Sequence, residues 1–174
     1  MATDLDALTA LTARLQRLED LEAIRATCLD YCTRLDAFDL DGLGDVFTTD
    51  AVLEFDASVR SLDGTYDGRR SIIDDFYART AVPGGDAAAQ GFMTGHLSTN
   101  MQIDLDGDEA TTLAYFFEIV DNTLVLIGTY QHRLRREPDR WRMAFLRISV
   151  RYRARLEGSR FGGQPLPPIL AKPV

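Results

Sequence analysis

The chain holds two histidines, His96 and His132, which narrows where proton transfer near neutral pH can be centred. His96 stands in Thr94-Gly95-His96-Leu97-Ser98-Thr99-Asn100, whose alternation reads as a strand. Side chains two apart share a strand face. His96, Ser98, Asn100 and Gln102 therefore form one polar face, and Leu97, Thr99, Met101 and Ile103 the other. The polar face meets either solvent or the interior of a site. His132 precedes Arg133 among charged neighbours, which predicts a surface position.

Asp36 closes a long helical stretch, five residues beyond Tyr31, so a carboxylate stands beside the apolar stripe. Such a carboxylate either reaches solvent at a turn or orients and charges a histidine for acid–base work. In the last strand Trp141, Met143, Phe145, Arg147 and Ser149 alternate onto one face, predicting a guanidinium among core residues. A buried charge is costly unless paired or used. Arg147 is thus either an ion-pair partner of a carboxylate such as Glu54 or Asp36, or a positive group facing an anionic substrate. The sequence carries no glycine-rich phosphate loop, nucleophile elbow or zinc spacing. The expectation is chemistry with no cofactor and no metal, or none at all.

The elements that must position these residues can be read from periodicity. Leu5, Leu8, Leu11, Leu15, Leu18, Leu21, Ile24, Cys28, Tyr31 and Leu35 recur at steps of three and four, which predicts helix to about residue 35. A break near Glu19 and Asp20 would split it, leaving residues 1–17 as an arm suited to a partner subunit. A short helix around Leu43, Val46 and Phe47 follows, then strands at Ala51–Phe55 and Gly64–Tyr66, and a helix from Gly68 to about Arg79. After a Gly- and Ala-rich loop, Ala81–Gly91, the period changes to two. Four long strands follow, with Asp106-Gly107 and Glu137-Pro138-Asp139 as hairpin turns. Helices followed by antiparallel strands mean α+β.

At 174 residues the length fits one domain. A net charge of −8 and a pI near 4.7 argue against nucleic-acid or anionic-membrane partners, since both need a positive field. No stretch reads as a signal peptide or a membrane span, so a cytoplasmic location is expected. Cys28 and Cys32, four apart, read as small core-facing hydrophobes of a reducing compartment.

Taken in order, Arg17-Leu-Glu-Asp-Leu-Glu-Ala-Ile24, Tyr31, Asp36, Phe47-Thr-Thr-Asp-Ala51, Gly68-Arg-Arg, Gly95-His96, Gly128-Thr-Tyr130 and Trp141-Arg-Met resemble the SnoaL-like branch of the nuclear-transport-factor-2-like superfamily. The resemblance covers about residues 15–155. It implies a cone-shaped α+β barrel, a curved, mostly antiparallel sheet wrapped by about three helices around one pocket.

Members include dehydratases, a dehydrochlorinase, and enzymes that isomerise or cyclise polyketides and steroids. Eliminating members use an Asp–His pair, at positions resembling Asp36 and His96. A bile-acid dehydratase of the branch adds a tyrosine resembling Tyr31 and a last-strand arginine resembling Arg147. One dehydratase uses a second histidine ahead of the strand pair, where this sequence has none. The resemblance thus implies elimination at an activated carbon of a small, largely apolar cyclic substrate. His96 would be the base, Asp36 its orienting partner and Tyr31 a hydrogen-bond donor. Arg147, Phe55, Phe76, Phe92, Phe117, Tyr130 and Asn100 would line the pocket. An isomerase or cyclase with the same pair, or a noncatalytic small-molecule-binding domain, is the alternative.

A domain spanning 1–157 and an extended tail at 158–174 are expected. So is a homodimer or homotrimer, formed through a sheet face carrying Leu97, Met101, Ile103 and Leu146.

Overall fold

The computed structural model describes residues 2–58, 62–80, 95–120 and 124–155. The helical period of the N-terminal segment is realised as one uninterrupted helix, α1 (Ala2–Asp36). The expected break at Glu19 and Asp20 does not occur. Instead Asp20 is the first buried residue of α1. Its carboxylate receives two hydrogen bonds from Arg136, at 2.6 and 2.7 Å, and one from Trp141 Nε1 at 3.4 Å. That ion pair, Arg136 foremost, holds the Asp20 carboxyl below the usual range. From here to its end, α1 buries Ile24, Cys28, Tyr31 and Leu35.

Phe38, at φ 55°, turns the chain out of α1, and the Asp39 side chain accepts from Gly42 N at 2.9 Å to start α2 (Leu40–Val46). Strands β1 (Phe47–Asp56) and β2 (Gly64–Asp67) follow. A third helical run begins as α3 (Arg69–Ser71), widens into a π-helical segment (Ile72–Tyr77) and ends as α4 (Ala78–Thr80). The long strands are β3 (Gly95–Asp106), β4 (Glu109–Val120), β5 (Leu124–Arg136) and β6 (Trp141–Arg155). They form one six-stranded sheet ordered β2-β1-β6-β5-β4-β3, in which only β1 and β6 run parallel. Both expected hairpin turns are present, Gly107 taking the positive φ of 58° that the first requires. The core lies between the inner sheet face and the helices, and both cysteines are buried in it as free thiols.

Two β-bulges decide which side chains face that core. In β3 the register with β4 shifts between Thr99 and Gln102, where Asn100 adopts φ 54°. Before the bulge His96 and Ser98 point inward; after it Met101, Ile103 and Leu105 do. In β6 the register with β5 shifts at Ala144, so Trp141 and Met143 face inward, then Leu146 and Ile148. The expected membership of that outer sheet face is therefore corrected. Leu146 is fully buried, Met101 and Ile103 pack on the core, and only Leu97 is exposed. Among the described residues no helix is long and apolar enough to cross a membrane.

Gly128 on β5 marks the tightest point of this packing. A Cβ there would lie 2.1 Å from the Ser149 carbonyl oxygen and 2.5 Å from the Phe116 ring. The backbone carbonyl cannot move aside cheaply. Gly128→Ala should cost about 1–3 kcal/mol of stability, the range for overpacking. Chemical denaturation of the two proteins side by side checks this.

Candidate active site

α1 delivers Asp36 on its last turn, and β3 delivers His96 as its second residue. A carboxylate at a helix C-terminus faces the negative end of the helix dipole and needs compensation. The first residues of β3 supply it. The His96 backbone N–H donates to both Asp36 carboxylate oxygens, at 3.1 and 3.2 Å, and the ring Nδ1 lies 2.6 Å from Oδ1. Register then brings a second carboxylate. His96 pairs across the ladder with Glu118 of β4, and Nε2 lies 3.3 Å from Glu118 Oε1. The imidazole is held between two carboxylates, its side chain 9% exposed.

Burial, the largest influence on this ring, works against its charge. Hydrogen bonds to Asp36 and Glu118, together with the charges of both, more than offset that and raise the His96 pKa to about 9. At neutral pH the site therefore rests as an imidazolium between carboxylates.

Tyr31 lies deeper, fully buried, its hydroxyl 2.8 Å from that of Tyr77 in the π-helical segment. Tyr130 packs edge-on to Tyr31 with ring centres 5.7 Å apart. Burial first, and then neighbouring charges, raise all three phenols well above their ordinary pKa, so they stay protonated. Aromatic contacts continue outward on both sides. Phe76 packs 4.8 Å from Tyr77 and 5.0 Å from Phe55 and Tyr66, and Phe116 stacks on Tyr130 at 4.5 Å. The expected wall residues Phe55, Phe76 and Tyr130 thus lie on the inner side.

Three other expectations change. Asn100 is exposed, because the bulge reverses the strand face at that residue. Arg147 falls after the β6 bulge and points outward. There it meets Glu54, its register neighbour on β1, with Nε 2.7 Å from Oε2. The ion-pair reading is the one observed. Phe117 shares the outer face with exposed Leu97, its partner in register, and Phe116 takes the inner place. Phe92 lies outside the described residues.

His132 is not a surface residue. It is 2% exposed, with Nδ1 2.6 Å from Thr112 Oγ1 and Nε2 without a partner among the described residues, and burial pushes its pKa down to about 3. Alternation held the signal, since His132 shares parity with Tyr130 and Leu134. Glu118 carried a similar one, two residues after Phe116 on a strand face that otherwise holds Ala110, Thr112 and Ala114. Ser98 Oγ, on the His96 side of β3, is buried without a partner among the described residues. Burial pushes the Cys28 and Cys32 thiols up to about 12, so they are unreactive near neutral pH. Among the described residues no group of three or more His, Cys, Asp or Glu side chains is arranged to hold a metal ion.

A curved, mostly antiparallel sheet, packed by helices over an interior with a carboxylate–imidazole pair at its rim, defines an α+β protein of the nuclear-transport-factor-2-like class. The chain belongs to the SnoaL-like domain family, whose model matches residues 16–147.

Solved structures similar to it include the Mycobacterium tuberculosis protein Rv3472, of unknown function. That protein is 26% identical, with 78% of this chain and 73% of that one covered and a TM-score of 0.59. An NTF2-like protein with a cystatin-like fold from Novosphingobium aromaticivorans is also 26% identical, covering 83% and 90%, with a TM-score of 0.60. A hexachlorocyclohexane dehydrochlorinase, LinA-type3 from Novosphingobium barchaimii, shares the fold at 18% identity, covering 83% and 95%, with a TM-score of 0.67. No curated protein matches the sequence.

The two histidines titrate in opposite senses, which fixes a pH dependence of stability. The folded pKa of His96 is raised, so its stabilisation is present below pH 6.5 and lost as pH rises toward 9. The folded pKa of His132 is lowered, so stability is lost as pH falls from 6.5 toward 3. Thermal unfolding between pH 4 and 9.5 should show His96→Asn flattening the alkaline limb and His132→Asn the acid limb. Unchanged limbs would contradict the assignment.

Proposed function

We propose that this protein is an acid–base enzyme acting without a cofactor on a small, largely apolar cyclic molecule, eliminating water beside a carbonyl. The observation that carries the reading is the line Asp36–His96–Glu118, a buried imidazole with one nitrogen fixed and the other facing a proton acceptor. Family membership supports an enzyme of this general kind, and one neighbour in fold is named for an elimination.

Asp36 holds Nδ1–H and so keeps Nε2 as the working nitrogen. His96 and Glu118 together hold one proton at neutral pH. Passing it from Nε2 to Glu118 leaves a neutral imidazole and a carboxylic acid. His96 then takes the proton from the carbon next to the carbonyl, and Glu118 gives its own to the departing hydroxyl. The carbon–hydrogen and carbon–oxygen bonds break, a double bond forms and one water leaves. The pair ends with the single proton it began with. Tyr31 and Tyr77 share one hydroxyl hydrogen between them, which leaves an O–H of the tyrosine cluster to meet a developing oxyanion. The aromatic run from Phe55 to Phe116 suits an apolar ring, with Ser98 as a hydroxyl partner.

The active form is the singly protonated pair, so the rate should follow a bell in pH, with its alkaline limb near 9. A screen of cyclic β-hydroxy carbonyl compounds, read by mass spectrometry for loss of one water, should find a substrate. With it, His96→Ala, Glu118→Gln and Asp36→Asn should each lower kcat by about 10²–10⁴-fold. Their combinations should fall far short of additive. A rate that keeps climbing beyond pH 9, or near-normal turnover by His96→Ala, would rule this mechanism out.

A further inference from the structure

The first half of α1 carries its leucines where the body of the protein cannot reach them. Leu5, Leu8, Leu11, Leu15 and Leu18 are 55–66% exposed, and every described side chain from Asp4 to Glu19 is exposed. At 100° per residue, Leu8, Leu11, Leu15 and Leu18 fall within an arc of about 80°. Its centre lies about 150° from that of Ile24, Cys28, Tyr31 and Leu35, the side buried against the sheet. The leucines are therefore not a continuation of the core stripe. They belong to a second stripe on the far side of the same helix, continued by Glu22, Ala26, Leu29 and Thr33. Glu22 is tied to Arg25 at 3.7 Å, and Leu29 is 52% exposed. Ala26, Leu29 and Thr33 also line a surface groove of about 860 Å³ whose other walls combine Trp141 and Pro138 with the charged Asp20, Asp30, Arg136 and Arg140.

We infer that this stripe is an interface and that its occupant is α1 of a second copy of this chain, packed antiparallel. The two halves of the stripe are complementary to each other: leucine knobs on residues 8–18, and the smaller Ala26 and Thr33 on either side of Leu29. An antiparallel two-fold arrangement sets Leu15 opposite Ala26, Leu11 beside Leu29 and Leu8 opposite Thr33, once in each direction. A parallel pairing would leave Ala26 facing Ala26 and Thr33 facing Thr33 across a gap, whereas glutamates meet in either direction, Glu22 opposing Glu22 when parallel and Glu19 when antiparallel. The exposed leucines amount to roughly 600 Å² per copy, so the pair buries on the order of 1,200 Å² before the groove walls are added, where specific interfaces begin. The sheet packs on the opposite side of α1, and the β5–β6 hairpin flanks the groove the partner helix would enter.

Sedimentation of the full chain at tens of micromolar should give twice the 19.4 kDa chain mass. Leu11→Glu/Leu15→Glu should give the chain mass alone, with an unchanged circular dichroism spectrum and an unchanged alkaline stability limb from His96. Cysteine cross-linking reads the direction. Leu15→Cys/Ala26→Cys should form covalent dimers under mild oxidation, whereas Leu15→Cys alone should not. A monomeric wild-type chain, a dimer untouched by the glutamates, or cross-linking by Leu15→Cys alone would each overturn the inference. So would a monomer whose stripe is protected from hydrogen exchange, since another segment of the chain would then cover it.

Discussion

The structure depends on one constraint, the placement of the Asp36 carboxylate at the end of a long helix. A negative group there opposes the helix dipole and would be destabilising alone. It is accommodated because β3 begins beneath it, donating the His96 N–H and ring Nδ1. The same contact joins α1 to a strand 60 residues later in the chain, fixing the sheet edge against the helix. It also fixes the imidazole, so the functional geometry and the closure of the fold are one interaction. With Glu118 on the neighbouring strand, the ring lies in a field that keeps it charged at neutral pH.

At its other end the body is closed by a different polar clamp. Asp20 meets Arg136 and Trp141 where the β5–β6 hairpin folds onto α1, and Asp30 meets Arg140 at 3.1 Å along the same side. Between these clamps α1 is part of the core. Before Asp20 every described side chain is exposed, Arg17 reaching back to donate to the Leu105 carbonyl at 3.3 Å, and the leucines lie on a different face. One helix thus serves two surfaces, separated by position along the axis and by rotation around it.

Two local irregularities carry much of the site's specificity. A residue's face on a strand is set by parity, and one inserted residue reverses parity for everything beyond it. The bulge at Asn100 lets one strand present His96 and Ser98 inward, then Met101 and Ile103. The bulge at Ala144 removes Arg147 from the interior and sets it beside Glu54 on the outer face. The interior is consequently less basic than alternation implies, and His96 is balanced by carboxylates alone.

Sequence by itself determined the helix–strand order, the hairpin turns and the inward cysteines, because each follows from near-neighbour spacing and turn chemistry. Family resemblance added the pairing of Asp36 with His96, which spacing alone left open. Tertiary structure decided what depends on counting across the sheet or around the helix. Bulges misplaced Asn100 and Arg147, since a strained φ at Asn100 and an extra residue at Ala144 leave little trace in residue type. Parity was available for Phe117 and His132, but the buried face could be named only once neighbouring strands were in register. Glu118 entered the site for the same reason: a carboxylate on an apolar strand gains its meaning from the histidine opposite, and that opposition exists only in the folded ladder.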